Sequence, residues 1–468
     1  MFDRANDDAE PMSLVVYLAL LASSWVCFRH SPGQALLRVY LPCLLLIPDA
    51  FHAITPGLPD PNFHQAAILP IVGLGVLRYR SGWRPRAMDV LMLVFALWVA
   101  WSDYTARGYA DAQNLMFAML TSVIFPYVVA RLVIPAEQLH VAVGKRYVML
   151  IFAVALIGVF EARFGYNPFL KIPGALFPGQ GDGWVTTFRH GMARVAGPYS
   201  HAILAGIMMV SAFRIHRWLA WGGHWEARFD RLPSLPWSKS KVLTAVLTLG
   251  ALMTVARGPW IGALLGGGIA AIGRASNRQR ALRLFVAAVV VGSLVGALLL
   301  GRYLDIQPGG PMTLSQETAL YRKVLLEKYA AIALDHAWFG WGLTTWPKIE
   351  GMASIDNYYL LLSLMHGVPA TAMLILLMLG SAWQCARRGL REPGQRGAPL
   401  FALAGLFVAV FVSIGTVYLG EQVMPMLFFM LGWAQAWLQS GLAPARHALP
   451  ASASISVLGA FRFRALIQ

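Results

Sequence analysis

Charge is what this sequence has least of. Only 13% of its 468 residues are Asp, Glu, Lys or Arg, while 57% are hydrophobic. A soluble globular chain carries about a quarter charged residues. At this length a soluble protein would ordinarily split into two or three domains with polar surfaces, and too little charge is present to cover them. That excludes an ordinary soluble enzyme and a disordered protein. Cysteine is scarce too. Cys27, Cys43 and Cys385 sit in or beside apolar segments without metal-ligand spacing or disulfide logic, which excludes a disulfide scaffold. No phosphate-cradling P-loop appears, and the long loops hold no His/Cys/Asp/Glu cluster at metal spacing. Neither nucleotide, metal nor other cofactor is therefore expected. The N-terminus is acidic rather than basic, so the first apolar segment is expected to persist as a helix instead of being cleaved.

What the chain has is long apolar runs. Lipid admits only helices or closed barrels, and barrel strands would alternate over short segments. The expected fold is all-α, a polytopic transmembrane helix bundle. Runs of the right character cover 13–28, 35–49, 65–77, 88–102, 114–133, 147–161, 199–213, 242–256, 259–273, 283–300, 357–383, 399–418 and 423–439. That makes twelve or thirteen spans, since the first two also suit a hairpin that does not fully cross. The transmembrane domain is placed at 13–440, after a tail at 1–12 and before an Ala/Ser-rich, basic tail at 441–468 that reads as cytoplasmic and disordered. The net charge of +16 comes from 38 Lys+Arg against 22 Asp+Glu, and 26 of the 38 basic residues fall in one alternating set of connections. The positive-inside rule puts that set in the cytoplasm. Basic residues spread in this way, without a folded module, argue against a nucleic-acid partner.

The opposite, outer set contains the two long connections, 161–200 and 302–356. Loops of this length usually carry function. In the second, Thr313 and Gln316 fit a capping box, and Leu320, Val324, Leu325, Tyr329 and Ile332 recur at helical spacing. These predict an amphipathic helix of about five turns, ended by Asp335 and the Gly340/Gly342 pair, lying at the interface or over a cavity.

Outer-face arginines are the exceptions to the charge rule. Arg194 precedes a span, Arg257 lies in a short turn between two spans, and Arg322 is on the amphipathic helix. Each alone suits snorkelling to lipid phosphates. Three together, close to glycines or on an ordered helix, favour a shared task. Guanidinium groups stay charged and bind oxygens bidentately, which suits a pyrophosphate, and Gly197 and Gly258 let backbone approach an anion. A second constellation is Asp356-Asn357-Tyr358-Tyr359-Leu360 with Gly367 beyond it. Asp356 falls where a helix N-cap is expected. Asn357 suits sugar hydroxyls, and Tyr359 suits stacking on a sugar ring or anchoring at the interface. His366, inside a span, reads as a hydrogen-bonded core histidine. Glu421, in the turn between the last two spans, reads as an acceptor contact or a helix cap.

Four pieces in this order resemble the O-antigen ligase and O-antigen polymerase family of bacterial inner membranes. They are Arg194 with Gly197, Pro198 and Ala202; Ala256-Arg257-Gly258; Arg322 followed by Trp338-Phe339-Gly340-Trp341-Gly342-Leu343; and Asp356-Asn357-Tyr358-Tyr359-Leu360 with Gly367. The matching region is about 190–370, under half of the chain. The resemblance implies a multi-spanning, metal-independent glycosyltransferase. It would transfer a glycan from undecaprenyl pyrophosphate to an acceptor hydroxyl at the periplasmic face of the inner membrane, to a further glycan or to lipid A core. Other polysaccharide-assembly proteins are further expected partners. By the same resemblance Arg194, Arg257 and Arg322 grip the pyrophosphate. The leaving group then needs charge stabilisation, and the acceptor hydroxyl needs a base. The family's ligases usually have His where this chain has Asp356, which favours polymerisation of O-antigen or exopolysaccharide units over ligation. Ala256 replaces a usual Ser or Thr. His201 stands where the family often has Asn, as a glycan contact or a structural histidine. A lipid-linked sugar flippase is the rival class. Transporters put charges and broken helices near mid-membrane and often carry inverted repeats, whereas here the notable charges lie at the outer edge.

Overall fold

The computed structural model describes residues 14–440 except 55, 56, 58, 190, 230–235, 305–313, 353 and 393. The tails at 1–12 and 441–468, and Thr313 of the expected capping box, lie outside the described residues. The chain is mostly helical, 74% helix and 2% strand. Its helices are α1 (Tyr17–Arg29), α2 (Pro32–Leu46), α3 (Phe63–Tyr79), α4 (Ala87–Arg107), α5 (Tyr109–Ala136), α6 (His140–Phe164), α7 (Pro168–Gly174), α8 (Ala202–Trp221), α9 (Lys239–Met253), α10 (Arg257–Ile272), α11 (Arg278–Leu304), α12 (Leu314–Asp335), α13 (Tyr358–Arg391), α14 (Ala398–Ile414) and α15 (Val423–Ser440). Two-residue strands β1 (Phe188–Arg189) and β2 (Met192–Ala193) pair antiparallel between α7 and α8.

Among the described residues six helices, α4, α5, α6, α8, α11 and α13, are long and apolar enough to cross a membrane. The expectation of twelve or thirteen crossings is finer than these lengths establish. Helix α3 has 17 residues, α9 has 15 and α10 has 16. At 1.5 Å per residue they reach about 25 Å or less, short of a hydrocarbon core of about 30 Å.

Glycine decides the tightest packing. Gly258, Gly262 and Gly266 recur every four residues on α10, which lies against α14. A Cβ on Gly266 would stand 2.2 Å from the carbonyl oxygen of Gly405, and one on Gly262 would stand 2.5 Å from that of Ala409. Small residues at this spacing let two apolar helices approach closely where lipid supplies no hydrophobic drive. At the α3–α4 end, buried Asp89 receives hydrogen bonds from the Tyr127 hydroxyl and from Arg131, whose guanidinium also reaches Gln439 and the Arg84 carbonyl. These bonds satisfy a charge that burial would otherwise penalise.

The span expected at 357–383 is not one straight helix. It breaks at Gly367, whose φ is +85°. The stretch Trp338–Gly342 fills the break. Trp341 and Gly342 donate their backbone N–H groups to the carbonyls of Leu364 and Met365, and Val368 donates to Ala337. Backbone groups freed by a broken helix must find such partners inside protein. Gly340 and Gly367 permit the approach, because a Cβ at either would lie within 2.5 Å of facing backbone. Helix α12 covers the same region. It buries Leu325, Tyr329 and Ala333 against Ile355, Leu360 and Leu364. Tyr329 also pins the incoming loop, accepting from the Ile349 amide at 3.0 Å and donating to the Met352 carbonyl at 2.9 Å.

Candidate functional site

The connection from α6 to α8 is organised by one buried acid. Glu161, fully buried near the end of α6, accepts from the amides of Ala196 and Gly197 at 3.2 and 2.9 Å and from the Thr186 hydroxyl at 3.3 Å. Asn167, which caps α7, donates to the Gly197 carbonyl at 2.7 Å. Gly197 takes a φ of +60°, a left-handed conformation that costs glycine little. Further along, Arg194 donates its amide to Thr187 across the β1–β2 hairpin, and Val195 donates to Met253 at the end of α9. The loop is thereby fastened to the turn between α9 and α10.

Two guanidinium groups grip that turn by its carbonyls. Arg194 donates from Nε to Thr254 at 3.2 Å, and Arg189 donates from Nη1 to Val255 at 3.2 Å. Val255 has a φ of +47°. A β-branched residue there is a genuine outlier, of order 1–3 kcal/mol of local strain. Arg194 is only 6% exposed, and its Nη2 is buried without a hydrogen-bond partner. Burial and the neighbouring positive charge of Arg189 both pull its pKa below the usual arginine value. An anion at Nη2 would satisfy the open donor and relieve the repulsion.

Arg257 follows the strained turn as the first residue of α10 and is exposed. His201 caps α8, accepting from the Ile203 amide through Nδ1 at 3.1 Å. An accepting Nδ1 leaves the ring proton of the neutral imidazole on Nε2. Burial first, then Arg194 and Arg189, lower the pKa of His201, while Asp356 opposes them. Arg194, Arg189, His201 and Asp356 thus share one electrostatic neighbourhood.

The structure corrects the expected cap of α13. Asn357 is the N-cap, with Oδ1 accepting from the amides of Tyr359 and Leu360 at 3.0 and 3.3 Å. Asn357 sits one residue nearer the helix and faces its open N–H groups, so Asp356 is released. Asp356 is exposed and accepts from the Ser354 hydroxyl at 3.1 Å. The Asn357 oxygen expected to meet sugar hydroxyls is committed to the cap. Tyr359 points its hydroxyl to the Phe411 carbonyl at 2.6 Å and packs on the Phe411 ring, a tie between α13 and α14 rather than an open stacking face. Arg322 is exposed on α12. His366 is buried, with Nδ1 paired to the Ser102 hydroxyl at 2.8 Å, the structural role expected of it.

Two residues that hold the loop, Glu161 and Arg189, are not singled out by the sequence, and the turn at 418–421 is singled out only through Glu421. Glu161 left a signal as the lone acid ending an apolar run, and Arg189 as a second arginine across a Gly-bearing turn from Arg194. At 418–421 the Tyr418 hydroxyl donates to Glu421 Oε1 at 2.7 Å and pairs with Ser200, the neighbour of His201. Gln422 ties the same turn to the loop, donating to the Pro198 carbonyl at 2.8 Å. Burial pushes the Glu421 carboxyl up to about 7, against the hydrogen bonds it receives. It borders an apolar cavity of about 310 Å³ that Asp49, Tyr358 and His366 also line. No group of three His, Cys, Asp or Glu side chains able to hold a metal occurs among the described residues. No protein-family model matches the chain, and no curated protein matches it.

Proposed function

We propose that this protein is a multi-pass membrane glycosyltransferase that moves a glycan from a polyprenyl pyrophosphate, undecaprenyl pyrophosphate in a bacterial inner membrane, to an acceptor hydroxyl at the periplasmic face. The observation that carries the reading is Arg194. A buried guanidinium with an open Nη2, backed by Arg189 and set against the turn that presents Arg257, is what a doubly charged diphosphate leaving group requires. The motif resemblance to O-antigen ligases and polymerases supports the same assignment. On this reading the bundle crosses twelve or thirteen times, the shorter apolar helices included.

The reaction is a single displacement. The acceptor oxygen bonds to the anomeric carbon, the bond from that carbon to the pyrophosphate oxygen breaks, and the polyprenyl pyrophosphate departs with the bonding pair. Arg194 and Arg257 stabilise its charge, and Asp356 takes the acceptor proton. Asp356 suits that role because the cap is made by Asn357, so its carboxylate is exposed, and its charge is felt at His201. Direct displacement inverts the anomeric centre. An aspartate at this position favours a polymerase of O-antigen or exopolysaccharide units. A ligase would use the same donor site with lipid A core as acceptor.

The test uses the full chain in nanodiscs with an undecaprenyl-pyrophosphate oligosaccharide, without nucleotide or added metal, and separates products by size. A ladder of longer lipid-linked glycans, lost in Arg194→Ala and in Asp356→Ala, supports the polymerase. Transfer only when lipid A core is supplied makes it a ligase. The break at Gly367 is a feature that favours transport. Movement of the glycan lipid across the bilayer with no product of either kind overturns the enzyme reading.

A further inference from the structure

A second cationic site lies where the end of α10, the start of α11 and the end of α13 meet. The cleft there has a volume of about 750 Å³, and its lining includes Trp221, Arg274, Asn277, Arg278, Arg391 and Glu392. Its charge is unbalanced. Arg217 and Arg274 place their guanidinium carbons 5.1 and 4.8 Å from the centre of the same Trp221 ring. Each cation gains from the ring, yet the two repel each other. The single lining carboxylate is engaged elsewhere, since Glu392 accepts from Arg388 at 2.7 Å. Arg278 braces the wall by donating to the carbonyls of Gly389 and Glu392 at 3.0 and 2.6 Å.

Two further features suit an anion. The Trp221 Nε1 donor is buried without a partner, and an indole N–H so placed ordinarily finds an acceptor. The 27-residue helix α11 begins in the cleft, where Asn277 caps the Arg280 amide at 2.9 Å. Its positive dipole end adds to the arginines.

We propose that this cleft binds a phosphate anion, carried by an acidic phospholipid headgroup, between Arg274, Arg391 and the Trp221 indole N–H. One bound phosphate would relieve the Arg217–Arg274 repulsion and occupy the open indole donor, joining three helices through a shared ligand. The site is separate from the Arg194 neighbourhood and does not rest on the glycosyltransferase reading.

Native mass spectrometry and thermal unfolding of the full chain in detergent test it. The probes are cardiolipin, phosphatidylglycerol, phosphatidylcholine, inorganic phosphate and pyrophosphate. The acidic lipids are expected to be retained at least about ten-fold more tightly than phosphatidylcholine. Arg274→Ala and Arg391→Gln should each weaken retention about five-fold, the effect of removing one basic residue near a lipid phosphate. Arg391 is an exposed helix end, so its variant keeps the test open if Arg274→Ala fails to fold. Binding of inorganic phosphate or pyrophosphate at comparable strength, lost in the same variants, upholds the phosphate site and assigns it to the free anion. Equal retention of phosphatidylcholine, or acidic-lipid and phosphate binding unchanged in both variants, overturns the proposal.

Discussion

The carboxylate of Glu161 accepts the backbone N–H of Gly197 at 2.9 Å, from inside the bundle. Through that bond and its neighbour at Ala196, a buried acid on α6 sets the path of the loop that carries Arg194. Glu161→Ala leaves two buried amides and the Thr186 hydroxyl without their acceptor. Each buried donor left open costs about 1–3 kcal/mol, so a loss of about 3 kcal/mol or more is expected in chemical or thermal unfolding. Glu161→Gln retains one acceptor oxygen and should fall between. Under the proposed function, glycan transfer should drop in both, more than in a variant of equal stability changed elsewhere, because Arg194 loses its placement.

Gly367 meets the carbonyl oxygen of Trp338, which would lie 1.9 Å from an added Cβ, and its φ of +85° is unfavourable for any side chain. Gly367→Ala therefore has to displace the 337–342 segment or straighten α13. Strain of about 1–3 kcal/mol from the dihedral alone, before any clash, predicts poor yield and a clearly lowered melting temperature. Gly82→Ala is the control, since nothing lies within 4 Å of its added Cβ and its φ is ordinary.

Glu421 makes stability depend on pH with a definite sign. Its carboxyl titrates at about 7 in the fold against an ordinary 4.5. Below pH 4.5 both folded and unfolded chains hold the proton. Between 4.5 and 7 only the folded chain holds it, so its contribution falls away as the pH rises and is gone above 7. A displacement of this size corresponds to at most about 3 kcal/mol. Glu421→Gln keeps an acceptor for Tyr418 and removes the ionisation. Denaturant titrations from pH 4 to 8 should show a decline in the wild type that the variant lacks. A parallel decline in both would assign the effect to other groups.

How far the sequence reaches can be read from particular residues. The apolar runs located the helices, because helix formation in a chain so poor in charge follows directly from length and hydrophobicity. The 314–335 helix was legible from the helical spacing of Leu320, Val324, Leu325, Tyr329 and Ile332, and its end from Asp335. Arg194, His201 and Asp356 were legible as residue types beside spans, and the charges of the other two are felt at His201. The cap was misjudged by one residue, because Asp and Asn serve equally well and only backbone geometry separates them. The tie made by Tyr359 was not legible, because nothing local shows that Phe411, 52 residues away, offers its carbonyl. The site's supports, Glu161 and Arg189, act through backbone groups of a loop whose path no periodicity encodes.

Arg257 offers the sharpest separation of structure from function. It is exposed at the start of α10, while the turn before it is held by Arg194 and Arg189 through the carbonyls of Thr254 and Val255. Its removal should therefore leave the fold nearly unchanged, within about 0.5 kcal/mol as for other exposed substitutions. If it closes on the departing diphosphate, the same change removes a charge-assisted contact that strengthens as the sugar bond breaks. Loss of one such donor typically costs about 100- to 1,000-fold in turnover. Arg257→Ala should thus unfold at the wild-type temperature and transfer glycan at least 100-fold more slowly. Arg257→Lys should recover only part of the rate, because an ammonium keeps the charge but not the two-pronged grip. An Arg257→Ala protein that folds normally and elongates glycans at the wild-type rate would remove Arg257 from the site and leave the stabilising charge to Arg194, backed by Arg189.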